Sequence, residues 1–254
     1  MSIITLAEPR LSGTGKKGII KPDENGYYET LLGALDVRNG IGEIYPYNGN
    51  EDILKDGSPL KRRIKNGHLF AEMGHPKREP GMTDHEWLVR YSRIEETKHC
   101  AHISNVWLDT EYVSPDGLKM VGIVGKVKPA GPYKETIEEY MKTPSVNTAW
   151  SVRSFTRNIR SSDGNVYKYF VDIRTWDFVS EPGISVATKW DSPAVEEMVD
   201  DMVISDRIIV NIGQLNNDNK LGLTSEDSEV LDNLRSALKE TYGSGSLTRA
   251  WNRF

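Results

Sequence analysis

Apolar positions along the chain fall first into short runs rich in β-branched and aromatic residues, each bounded by Gly, Pro or Asn: 17–20, 27–35, 67–72, 101–107, 119–127, 148–156 and 166–179. Runs of this length and composition predict strands. A helical period takes over after Pro132, where Ile137, Tyr140 and Met141 follow Glu135 at three- and four-residue spacing, which predicts a helix to about Lys142. Residues 78–96 contain Pro80-Gly81 and charges of both signs around Trp87, Leu88 and Tyr91, and read as a long loop with a short helix. Asp191-Ser192-Pro193 has the form of a helix start and predicts a helix over 191–203. A polar linker follows at 211–221. Over 224–242 the apolar Val230, Leu231, Leu234, Ala237 and Leu238 form one stripe behind a cap at Thr224 or Ser225, which predicts an amphipathic helix.

These elements predict an α+β fold that is mainly β. A chain of 254 residues supports one substantial core with an appendage. The net charge is −5, and the last 64 residues carry 12 acidic against 6 basic side chains, a different kind of sequence from what precedes them. Residues 1–205 read as the principal domain and 206–254 as a polar linker with an acidic amphipathic tail. An acidic chain without a clustered basic surface points away from nucleic acid as a partner. No stretch reaches the roughly 20 apolar residues of a membrane span. The first twenty residues lack the basic start and long apolar run of a secretory leader, which predicts a protein that stays in the cell that makes it. One cysteine, Cys100, forms no internal disulfide and agrees with a reducing compartment.

Serine hydrolysis is one chemistry to weigh against the sequence: it needs a hydroxyl, a base and a group that orients the base, and these can lie far apart along the chain. Of the five histidines, His75 has the most constrained setting, at the end of the apolar run Leu69-Phe70-Ala71 in Gly74-His75-Pro76. Gly allows an unusual turn there and Pro stiffens the exit. Ser151 lies in Ala149-Trp150-Ser151-Val152-Arg153-Ser154, where alternation puts Ser151, Arg153 and Phe155 on one strand face and Trp150, Val152 and Ser154 on the other. Arg153 and its neighbouring N–H groups are the candidates by position for stabilising an oxyanion. His99-Cys100-Ala101-His102 offers ligands that suit zinc, but no fourth ligand has a matching spacing. There is no phosphate loop, Rossmann glycine pattern or zinc-peptidase helix, so no cofactor is expected.

The order of these motifs is what carries a family resemblance. Gly-His-Pro after an apolar strand is followed by Ala101-His102-Ile103-Ser104-Asn105-Val106-Trp107, by strands bearing Gly122 and Gly125, by a helix, by Ala-Trp-Ser-Val-Arg-Ser and by Trp176-Asp177-Phe178-Val179-Ser180-Glu181-Pro182. Over residues 67–190 this resembles the prohead (capsid maturation) serine proteases of tailed phages, the myovirus prohead-core type, themselves related to the herpesvirus assemblins. The resemblance implies an antiparallel β-barrel flanked by helices, with His75 as general base and Ser151 as nucleophile. Ser154 stands where the family usually has glycine and is the competing nucleophile. For the third member Asp177 is preferred, with His102 the alternative and Glu72 or Glu181 remaining. The resemblance further implies an endopeptidase acting on scaffold and major capsid proteins inside the procapsid, in the host cytoplasm, with self-association and self-trimming. Leu238-Lys239-Glu240 fits the family's cleavage pattern and puts a cut after Glu240. The alternative function is a non-catalytic structural or scaffold component built on the same barrel.

Overall fold

The computed structural model describes residues 3–7, 10–12, 22–39, 42–113, 118–143, 146, 149–180 and 225–242. Within these, β-strands dominate and separate into two sheets, with four α-helices around them. The first sheet orders its strands β1 (Ile3–Ala7), β9 (Ala149–Arg160), β10 (Val166–Val179), β5 (Ile44–Tyr45) and β4 (Val37–Arg38), and β2 (Arg10–Ser12) also pairs with β9. Only the β5–β10 pairing is parallel; the rest of this sheet is antiparallel. The second sheet is antiparallel throughout, in the order β3 (Tyr28–Leu35), β8 (Val121–Pro129), β7 (His99–Asp109), β6 (Phe70–Glu72).

The two sheets bury a common core. Leu32, Leu69, Ile103, Val106 and Val127 of one meet Trp150, Trp176 and Phe178 of the other, and Ile137 and Met141 of α3 (Lys134–Lys142) close its end. Close approach explains one of the glycines that the sequence singled out: the Leu32 side chain of β3 lies where a Cβ on Gly125 of the neighbouring β8 would be, so Leu32 keeps this position because Gly125 has no side chain. A second cluster lies on the opposite side of β9, where Phe155 meets Trp87, Leu88 and Tyr91 of α2 (Asp84–Ser92) and Val230 and Leu234 of α4 (Ser225–Tyr242). Fully burying residues such as Val230 and Leu234 contributes about 1.5–3 kcal/mol each.

The mainly-β mixed fold agrees with the sequence, and β10 has the expected bounds. The closed barrel does not appear among the described residues. Sheet edges explain why: β6 ends the second sheet and meets β10 of the first through a single parallel bridge, Met73 to Phe178, rather than a continuous ladder. Residues 78–96 are more ordered than expected, because Thr83 and Glu86 form a reciprocal capping box that starts α2. α1 (Pro59–Lys65), capped by Ser58 Oγ accepting from Lys61 N at 3.2 Å, was not anticipated. The expected strand 17–20, helix 191–203 and linker 211–221 lie outside the described residues.

Candidate active site

The junction of the two sheets is where the chemistry collects. β6 ends at Glu72, and Gly74, at φ +78°, turns the chain so that its N–H donates to Phe178 O at 2.7 Å. That turn is one a residue with a Cβ adopts poorly. It delivers His75 to β10: His75 Nδ1 lies 2.9 Å from Asp177 Oδ2, with the imidazole 8% exposed and the carboxylate fully buried. An ionised carboxylate only accepts, so Nδ1–H donates and Nε2 is the ring nitrogen able to take a proton.

Asp177 and Ser151 are direct partners in the antiparallel β9–β10 register. Cross-strand partners point to the same face with Cβ atoms about 5 Å apart, so the Ser151 hydroxyl shares the face on which His75 is bound. Ser151 itself is completely buried, and Arg10 of β2 is its register partner on the far edge of β9. Ser154 has the opposite parity. It pairs in register with Ile173, and its buried hydroxyl has no hydrogen-bond partner among the described residues.

Arg153 is the residue whose setting differs most from expectation. Its guanidinium is buried and aims at carboxylates. Nε donates to Asp177 Oδ2 at 2.8 Å and Nη2 to Asp177 Oδ1 at 2.7 Å, while Nη2 also lies 2.9 Å from Glu72 Oε2. Nη1 donates to the Arg93 carbonyl at 2.8 Å and reaches Glu72 Oε1 and the Tyr91 carbonyl at 3.5 Å. All five N–H donors of the fork are thereby engaged. The guanidinium therefore does not serve as the oxyanion donor that its position suggested. Burial by itself would raise the Asp177 carboxyl, but the Arg153 charge and then the His75 contact outweigh it and hold Asp177 below the usual carboxylate range. Burial likewise works against the Arg153 cation, and Asp177 and Glu72 more than compensate, raising it.

The remaining candidates are engaged elsewhere. Glu72 is taken by two arginines rather than by histidine, with Arg90 of α2 donating to Oε2 at 2.8 Å and to Oε1 at 3.2 Å. His102 lies within the second sheet, its Nε2–H donating to the Gly67 carbonyl at 3.2 Å and its Nδ1 accepting from Tyr27 OH at 3.0 Å. His99 stacks on Phe70. Cys100 is buried between them in sequence, and desolvation, with the Asp177 charge next, pushes its thiol far up, so it stays protonated. Among the described residues no group of three or more His, Cys, Asp or Glu is arranged to hold a metal. Glu181 lies outside the described residues.

A buried carboxylate holding a histidine by Nδ1, beside a strand serine, is the arrangement of a serine peptidase. Comparison with known proteins agrees. The model of the Peptidase S80 family matches residues 6–236, and the capsid maturation protease of Pseudomonas phage phiKZ is 39% identical over 205 residues, 79% of this chain and 74% of that protein. The chain belongs to the Peptidase S80 family. The solved structure of the bacteriophage T4 capsid assembly protease, gp21, aligns with a TM-score of 0.49 at 14% identity, covering 70% of this chain and 98% of that one. Membership of the Peptidase S80 family makes the protein a serine peptidase, as the order of motifs implied.

Proposed function

We propose that this peptidase matures phage capsids by acyl transfer, with Ser151 as nucleophile, His75 as general base and Asp177 orienting the imidazole. Ser151 Oγ attacks the scissile carbonyl carbon while His75 Nε2 takes the hydroxyl proton. The tetrahedral adduct collapses as that proton passes to the leaving amine, and water, deprotonated in turn by His75, releases the acyl group. The observation that carries this reading is the 2.9 Å contact of His75 with Asp177, together with the cross-strand pairing of Asp177 and Ser151.

The substrates are the scaffold and major capsid proteins of the procapsid, inside which the enzyme works in the host cytoplasm. Support comes from the phiKZ relative, whose name is that of a capsid maturation protease. An assemblin-like barrel is the finer reading of the fold, with β6 meeting β10 at the seam. Family membership tells against the structural, non-catalytic alternative. The tail that begins at residue 206 is cut after Glu240, which lies in α4 two residues before its end. Intact mass of the mature particle's protease reads that cut directly.

A Ser151→Ala enzyme incubated with its own procapsid tests the site. The expected result is assembled particles with uncleaved scaffold and no labelling by a fluorophosphonate. Wild-type scaffold processing in that variant would remove Ser151 from the mechanism, and loss of processing in Ser154→Ala alone would transfer the role.

A further inference from the structure

Serine catalysis uses the serine, the histidine and the carboxylate, but this site contains a second layer of buried charge. Arg153 and Glu72 are both fully buried, and Arg90 is 12% exposed. They form an unbroken chain: Arg90 donates twice to Glu72, Glu72 shares Arg153 Nη2 with Asp177, and Asp177 holds His75. The Glu72 backbone N–H adds a contact of 3.3 Å to Asp177 Oδ1, and the Glu95 backbone N–H donates to Glu72 Oε1 at 2.6 Å. Arg90 Nε pairs with the Glu95 side chain at 3.0 Å.

We propose that Arg153 is a positioning residue for the catalytic carboxylate, clamped by Glu72, and that Arg90 anchors this clamp to α2. The proposal rests on the Ser151–His75–Asp177 reading. Three features of the geometry support it. The planar fork meets Asp177 through two parallel N–H bonds, which fixes the rotation of the carboxylate as well as its place. With Oδ1 taken by Arg153 Nη2 and the Glu72 N–H, Oδ2 is the oxygen presented to His75. The buried Glu72 and Asp177 are matched by Arg153 and Arg90 while His75 is neutral, and the part-exposed Glu95 on Arg90 is matched in turn by Lys98. Without the Arg153 charge, Asp177 would lose the cation that outweighs its burial, whereas Glu72 would keep Arg90. A protonated Asp177 would donate a hydrogen bond instead of only accepting, and the histidine would lose its fixed tautomer.

The clamp also explains why α2 stands where it does. Tyr91, next to Arg90, places its hydroxyl 3.2 Å from the Ser154 carbonyl and 3.3 Å from the Ser154 N–H. One helical turn therefore holds both the backbone beside Arg153 and the far side of Glu72.

Arg153→Lys keeps the cation and removes the fork; Glu72→Gln keeps the shape and removes a charge. Each is assayed on a scaffold-derived peptide, with active sites counted by fluorophosphonate labelling, together with a thermal melt. For Arg153→Lys we expect kcat per labelled site to fall roughly 10- to 100-fold, with KM within about 2-fold, because small misplacements of a catalytic group cost this much. Glu72→Gln takes away one of the two carboxylates that hold the fork, so kcat per labelled site falls in the same direction by a smaller factor, again with KM within about 2-fold. A purely structural role lowers the melting temperature and the labelled fraction but leaves kcat per site in place, and that result in both variants overturns the proposal. If Arg153→Lys does not fold, Glu72→Gln and Arg90→Gln decide alone, the latter with a smaller loss of kcat in the same direction. Ser151→Ala separates the two levels: continued labelling there rejects the catalytic reading and the clamp with it, whereas abolished labelling with unaltered clamp variants rejects the clamp only.

Discussion

Replacing Asp177 by Asn keeps volume and planarity and exchanges two acceptor oxygens for one oxygen and one NH2. Four donors converge on the carboxylate: Arg153 Nε and His75 Nδ1 on Oδ2, Arg153 Nη2 and the Glu72 N–H on Oδ1. Whichever way the amide turns, its NH2 faces two of them. The least costly relief is for His75 to move its proton to Nε2, so that Nδ1 accepts from the amide. That tautomer cannot receive the serine proton. An asparagine in this role costs about 10⁴ in kcat, equivalent to about 5 kcal/mol of transition-state stabilisation. Breaking a buried ion pair while leaving its cation in place costs about 3–5 kcal/mol of stability; because Arg153 retains Glu72, the lower end is expected. Peptide cleavage and urea unfolding of Asp177→Asn measure the two effects. Activity within about tenfold of wild type would refute the assignment of Asp177 as the orienting group.

Further predictions concern the packing around this centre. Leu234→Ala empties a fully buried position between α4 and α2 and should cost about 2–4 kcal/mol in denaturant unfolding; a loss below about 1 kcal/mol would mean that α4 is not seated on α2. Because the Asp177 carboxyl is held below its ordinary value, its contribution to stability is present above the unfolded-state pKa of about 3.9 and is lost as pH falls through the lower folded-state value. Urea unfolding over that acid window should therefore show the gap between wild type and Asp177→Asn closing as pH drops, and a constant gap would contradict the linkage. β1 and β2 pair along the edge of β9 that carries the fully buried Ser151. Deleting residues 1–12 should speed fluorophosphonate labelling of Ser151, and an unaltered or slower rate would show that these strands do not restrict access.

The strand framework was legible where each strand carries its own signal. β10 runs over the predicted 166–179 because, in the sequence, Gly164 before it and Pro182 after it bound a run of β-branched and aromatic residues. His75 and Asp177 were legible as a pair only through the order of motifs, since 102 residues separate them. The short helix expected within 78–96 is α2, and only its bounds were hidden by charge: Asp84, His85, Glu86 and Arg90 resemble a solvated loop, although Thr83 and Glu86 spell a capping box and Trp87, Leu88 and Tyr91 fall on one helical face. Arg153 shows the limit more sharply. A buried arginine and a surface arginine are the same letter, and its partners Glu72 and Asp177 lie 81 and 24 residues away. Strand alternation correctly gave Arg153 the face of Ser151, but it could not say whether that face looks onto substrate or onto carboxylates. The two-residue strands β4 and β5 have too few positions for any alternation to register.

The site draws on both sheets, and this decides what holds it together. The first sheet supplies Ser151, Arg153 and Asp177 from adjacent strands, where the register alone fixes their spacing. The second supplies Glu72 and, just past the end of β6, His75. The proposed base and nucleophile thus come from opposite sides of a seam rather than from one ladder. Among the bonds crossing the seam, Thr175 Oγ1 donates to the Phe70 carbonyl at 2.6 Å, the Glu72 N–H to Asp177 at 3.3 Å, and the Gly74 N–H to the Phe178 carbonyl at 2.7 Å, beside the Arg153–Glu72 and His75–Asp177 contacts. Apolar packing by itself tolerates sliding of one sheet over another, because it has little directional preference. The ion cluster supplies direction at the same place, at a desolvation cost that buried charges seldom recover as stability. Its position argues that what it contributes is registration: Arg153 binds a carboxylate from each sheet with one planar group, so His75 can reach Asp177 only when the two sheets stand in a single relative position.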